Sequence, residues 1–153
     1  MTVHDTSGHV LSYARFGIND EPVSVDGYHK TSFEYDSLGY INSRYWFGTS
    51  GKAIEIDGIH RQAVTYDKNG NITSLSYFDK EHNPAIKMDY HMAKMWYDSL
   101  NREVRSEFYG ALYEPTSSAY GYFRKITKYG DRKAGERIEY YYDKKGSLIN
   151  IRK

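Results

Sequence analysis

Tyr-Asp pairs recur at a fixed interval of 31 residues: Tyr35-Asp36, Tyr66-Asp67 and Tyr97-Asp98. His4-Asp5 holds the same place one period earlier, and Tyr129 follows one period later with a single extra residue. A fixed period of this length predicts a repeat architecture, in which each short segment buries its apolar surface against its neighbours. Five repeats can be written: 4–34, 35–65, 66–96, 97–128 and a truncated 129–153. The fourth is one residue longer, with the extra residue placed between Thr116 and Tyr120. No stretch reads as a linker, so 1–153 is taken as a single repeat domain.

The residue types within the period point to β structure. Of 153 residues 17 are Tyr, and Tyr, Thr, Ile and Val suit a pleated, half-buried surface. No segment carries a 3.6-residue apolar period with caps, so almost no helix is expected. Each repeat opens on a turn: Asp5, Asp36, Asp67 and Asp98 precede Gly8, Gly39, Gly70 and Asn101 by three residues. Asp bonds the backbone ahead of it, and Gly or Asn accepts positive φ. One carboxylate per turn is too few for a calcium loop.

A strand follows, with Val10, Ile41 and Ile72 in one column. Ser12, Ser43 and Ser74 form a second column, and Phe16, Phe47 and Phe78 a third. Strict alternation places all three on one face. A second turn column holds Gly17, Gly48, Asp79, Gly110 and Asp143, followed by Pro22, Pro84 and Pro115. A third holds Gly27, Gly58, Asp89 and Gly121 and leads into a strand such as Tyr28–Tyr35. A β-hairpin therefore straddles each repeat boundary. In the fourth repeat Val104, Ser106 and Phe108 carry the alternation one residue out of phase, which predicts a bulge or register shift there. The fold expected is an all-β array of antiparallel hairpins, an extended sheet or a solenoid.

Two columns invite a functional reading. His29, His60 and His91 fall in register, as metal ligands or bases would. Alternation sets them on the face of Phe33, Val64 and Met95, and Phe123 takes their place in the fourth repeat, so packing of a flat ring is expected. Trp46, Tyr77, Phe108 and Tyr141 form an aromatic column with Arg15 at its head. Regularly spaced rings can stack on sugars, cations or polymer chains, or pair across a sheet with no ligand. These four are the candidate ligand-binding residues.

Composition narrows the function classes. The net charge of +1 speaks against a nucleic-acid partner. A local basic stretch (Arg124, Lys125, Lys128, Arg132, Lys133) is interrupted by acids and reads as a solvated edge. With no Cys there is no disulfide, Cys-ligated zinc or thiol catalysis. No apolar run is long enough to span a membrane, and the N-terminus does not read as a signal peptide. The start at Met1, almost in register with a repeat, is compatible with a segment of a longer array. No catalytic, nucleotide-binding or cofactor motif is present, so a non-catalytic role without cofactor or metal is expected.

The stretch Tyr66-Asp67-Lys68-Asn69-Gly70-Asn71-Ile72-Thr73-Ser74-Leu75-Ser76-Tyr77-Phe78-Asp79 resembles the YD (tyrosine–aspartate) repeats of the Rhs and teneurin type. Tyr35-Asp36-Ser37-Leu38-Gly39 and Tyr142-Asp143-Lys144-Lys145-Gly146 resemble them as well. The resemblance implies β-hairpins wound into long sheets or shells, in bacterial cell-surface or toxin-delivery proteins, with no catalytic residues. A more distant similarity is to aromatic cell-wall-binding repeats. The expected function is a surface or secreted module that binds glycan, cell wall or a protein partner. The alternative is a structural scaffold or shell segment that self-associates through sheet edges.

Overall fold

The computed structural model describes residues 1–130 and 136–153; Arg132 and Lys133 of the basic stretch lie outside the described residues. The described residues contain eleven strands and no helix. The strands are β1 (Thr2–His4), β2 (Val10–Ala14), β3 (Lys30–Tyr35), β4 (Ile41–Phe47), β5 (Arg61–Tyr66) and β6 (Ile72–Phe78). They continue as β7 (Met92–Tyr97), β8 (Glu103–Tyr109), β9 (Arg124–Tyr129), β10 (Arg137–Tyr142) and β11 (Leu148–Arg152). All belong to one open sheet whose order is the sequence order, β1 to β11. Two compact units divide the chain: Met1–Val64 with Tyr77–Ala85, and Thr65–Ser76 with Ile86–Lys153.

Two turn columns share one backbone geometry. In the Asp turn between β3 and β4, Asp36 N donates to Tyr40 O at 2.9 Å and Gly39 N to Asp36 O at 3.1 Å. The Asp36 carboxylate accepts from the backbone N–H of Leu38 and Tyr40. Asp5, Asp67 and Asp98 repeat this pattern, and Asp143 of the second turn column makes the same bonds. The second turn has the same ring of bonds: Gly48 N donates to Lys52 O and Gly51 N to Gly48 O, both at 3.0 Å. Its fourth residue again has positive φ, as at Gly51, His82 and Tyr113.

The third turn column is a tight two-residue hairpin. Asp26-Gly27 and Asp57-Gly58 both have positive φ at each position, as a type I′ turn requires. Val25 and Tyr28 exchange backbone hydrogen bonds across it, as do Ile56 and Ile59. The fourth repeat replaces it with a longer turn, where Ser118 N donates to Tyr122 O and Gly121 N to Ser118 O. The inserted residue therefore lies in this turn.

A bulge follows the Asp turn. Tyr35 pairs with Ile41 but Glu34 pairs with Ser43, so Asn42 is extra. The same slip occurs at β1–β2, β7–β8 and β10–β11. It corrects the expected single face. One extra residue inverts the alternation, so Ile41 is out of phase with Ser43 and Phe47, and Ile41 and Ile72 are exposed while Ser43 is buried. It also places the fourth repeat in context: the bulge expected there is present, but it is a shared feature and does not mark that repeat out.

Candidate functional site

The histidines lie in the bends just before β3, β5 and β7, outside the strands, so alternation does not govern them. This corrects their assignment to the Phe33 and Val64 face. The His60 ring meets Phe47 edge-on at 5.5 Å and lies 5.7 Å from Tyr45. His29 meets Phe16 edge-on at 5.1 Å, and Phe123 meets Tyr109 in the same way at 5.7 Å. His29 Nδ1 is 3.2 Å from Val23 O, and His60 Nδ1 is 3.0 Å from Ile54 O. Each of these two rings thus pins the returning loop of its own repeat. All three histidines are buried. Phe123 keeps the ring contact and forgoes the hydrogen bond, which explains how one column holds both residue types.

The candidate ligand-binding residues take two kinds of position. Tyr77 and Phe108 are each 7% exposed, so they offer little surface. Trp46 is half-buried, opposite Thr31, with the Arg44 guanidinium 5.2 Å from its ring. Tyr141 is half-buried too. A second column, which no sequence motif marks, packs against Arg15, Phe108 and Tyr141. Tyr28, Ile59, Tyr90 and Tyr122 directly follow the third turn, and the first three are buried. Tyr28 stacks under Arg15 at 4.4 Å, Tyr90 lies 4.8 Å from Phe108, and Tyr122 lies 5.6 Å from Phe108 and 4.8 Å from Tyr141. The spacing of 31, 31 and 32 residues was legible, but no motif drew attention to it.

In the C-terminal unit the two columns open into a cleft of about 290 Å³ lined by Tyr120, Tyr122, Tyr141, Ile149, Asn150 and Arg152. The longer turn of the fourth repeat builds its rim, because the insertion carries Tyr120 out to 61% exposure. Tyr120 and Tyr122 are nearly parallel, with ring centres 6.2 Å apart and planes at 26°. Tyr141 forms the third wall, at 65° to Tyr122. Its hydroxyl donates to Glu139 Oε2 at 2.7 Å, which fixes the ring and holds the Glu139 carboxyl below its usual range. Burial, with Tyr141 and Glu103 nearby, pushes the Tyr122 hydroxyl up to about 12, so it stays a neutral phenol at physiological pH. Asn150 Oδ1 accepts from Ile151 N at 2.8 Å, which leaves its amide N–H groups as donors. Arg152, opposite Glu139 across the β10–β11 pair, adds a cationic donor.

Of the four candidates only Tyr141 lines this cleft. Phe108 supports it from beneath through Tyr120 and Tyr122. Trp46 and Tyr77 belong to the other unit. No helix among the described residues is long and apolar enough to cross a membrane. A scan of protein-family models finds no match to the chain, and a search of curated proteins finds none either.

Proposed function

We propose that this chain is a non-catalytic repeat module of a bacterial surface or secreted protein, and that it binds glycan or cell-wall polymer at the tyrosine cleft. The observation that carries this reading is the cleft's composition: three phenol rings beside an amide donor and a guanidinium. Sugar rings present apolar C–H faces and a rim of hydroxyls. Aromatic walls desolvate the faces, and a few placed polar groups orient the rim. Tyr122, held as a neutral phenol, suits this task, since it stacks without adding charge. The resemblance to YD repeats of surface and delivery proteins points to the same setting.

The test is a pull-down on insoluble polysaccharides and purified cell wall, followed by titration with soluble oligosaccharides. Tyr120→Ala, whose ring is mostly exposed, should keep the fold and weaken binding by about tenfold, the loss of one stacking wall of the cleft. Trp46→Ala lies outside the cleft and should leave binding intact. Equal binding by wild type and Tyr120→Ala would remove the cleft from the reading.

A second reading, a structural scaffold, is favoured by a separate observation. β1 and β11 each have a single neighbour in the sheet, and every residue of both strands is exposed. Unpaired strand edges recruit other strands. Concentration-dependent association in light scattering, with no polymer binding, would favour this reading.

A further inference from the structure

Among the described residues of the C-terminal unit, every arginine but one is matched to a carboxylate. Arg102 meets Asp98, Arg105 and Arg124 meet Glu107, and Arg137 meets Glu139. Arg152 meets none at ion-pair distance. It lies near the end of β11, two residues after Asn150 and on the same face. Both residues are exposed, and both line the tyrosine cleft.

The acids nearest the cleft are already taken. Glu139 faces Arg152 across the β10–β11 pair, but its Oε2 accepts from the Tyr141 hydroxyl at 2.7 Å and its Oε1 lies 3.5 Å from Arg137 Nε. Arg152 acts on this carboxylate through its charge alone. Glu103, the other carboxylate near Tyr122, is 2.9 Å from Lys125 Nζ. Arg152 also lines a neighbouring cleft of about 570 Å³, where it joins Arg137 and Lys153 against Glu136 and Glu139. An unmatched guanidinium presents a planar fork of N–H donors that fits a carboxylate. In a uronic acid the carboxylate projects from the rim of the sugar ring, so one residue can stack on a tyrosine and reach a cation beside it.

We propose that the tyrosine cleft selects glycans built from uronic acids, and that Arg152 is the residue that reads their carboxylate. This rests on the reading of the cleft as a glycan site. Tyr120 and its neighbours supply the stacking, the Asn150 amide donates to ring hydroxyls, and Arg152 sets the preference for charge.

The test is calorimetric titration of the intact protein with trimers of galacturonic and of glucuronic acid, each against its own methyl ester. Esterification removes the charge and keeps the ring. At least one acid trimer should bind about tenfold more tightly than its ester, the worth of a charge-assisted contact. Arg152→Gln should bring the acid down to the ester and leave the ester unchanged. Arg152→Lys, which keeps the charge without the fork, should retain only part of the preference. Lys68→Gln, the same loss of charge in an exposed turn, should retain all of it. A glycerol-phosphate oligomer, charged but without a ring, should bind more weakly than the acid trimer.

Equal binding of acid and ester by wild type, or a preference that survives Arg152→Gln, overturns the proposal and leaves the glycan reading standing. A phosphate oligomer bound as tightly as the acid overturns it too. If the protein binds neither acid, ester nor any neutral glycan, both readings fall. Should Arg152→Gln not fold, the wild-type ratio of acid to ester and the Arg152→Lys titration decide.

Discussion

At the residue scale, the most deeply buried carboxylate among the described residues sits on β8. Glu107 on β8 is only 2% exposed, yet its carboxylate is surrounded by donors. Arg105 Nη2 donates to Oε1 at 2.5 Å, Arg124 donates to the same oxygen, and the Tyr109 hydroxyl donates to Oε2 at 2.6 Å. Burial pushes the carboxyl up, but the bonds from Tyr109, Arg105 and Arg124 outweigh this and hold it below its usual 4.5. The sign follows from linkage. A carboxyl whose folded value is depressed contributes stability above its unfolded value and loses it as pH falls through the folded one. Wild-type stability should therefore drop more steeply below about pH 4.5 than that of Glu107→Gln. At neutral pH this variant should be less stable by about 2–3 kcal/mol, below the usual cost of breaking a fully buried pair because both arginines are partly solvated. Urea melts across the acid range measure both effects. Parallel pH profiles for the two proteins would show that Glu107 is not the linked group.

At the element scale, the Asp turn is a unit whose cost at each copy depends on the copy beside it. Gly8 and Gly39 occupy the same turn position, with φ of +88° and +84°. A Cβ at Gly8 meets nothing within 4 Å, whereas one at Gly39 would sit 3.3 Å from His9 Nε2. His9 has little room to yield, since it stacks on Tyr35 at 4.7 Å and its Nδ1 lies 2.9 Å from Asp5. Gly8→Ala should cost about 1 kcal/mol through the positive φ alone. Gly39→Ala should cost measurably more in the same urea melts, and equal losses would exclude a role for the His9 contact. The turns themselves were legible because their chemistry is local: Asp, then Gly or Asn, three residues apart. The bulge was not. Nothing at Asn42 distinguishes an extra residue from a paired one until the partner strand is in place, and so the Ile and Ser columns were assigned to one face. The histidine face was misread for a related reason, since alternation was carried into a bend where it has no force. In the candidate site, Tyr141 was visible from its column. Tyr120 was not, because its exposure comes from an insertion whose position was known but whose geometry was not.

At the scale of the whole molecule, sheet order equal to sequence order means that every strand pairs with its sequence neighbours. Such a chain gains its stability from local elements and the interfaces between them, so the period itself should be removable as a block. Deleting 35–65 joins Glu34 to Tyr66 and puts Tyr66 in the place of Tyr35. Tyr35 is a demanding position, because its ring stacks on His9 and its hydroxyl donates to Val10 O at 2.9 Å. Tyr66 brings the same ring and hydroxyl, followed by an Asp turn with the same bonds. The shortened chain should keep a β-type circular dichroism spectrum and a cooperative thermal transition, at a lower midpoint because one repeat and one interface are gone. Deleting only 48–62 removes less chain but breaks the phase. It joins Phe47 to Ala63 and discards the second turn, the Asp57-Gly58 hairpin and His60 together. That variant should lose the cooperative transition. If both deletions melt alike, the 31-residue period would be a pattern of residue types without being the unit of folding, and the column-by-column equivalence of His60 with Phe123 or of Tyr35 with Tyr66 would lose its structural meaning.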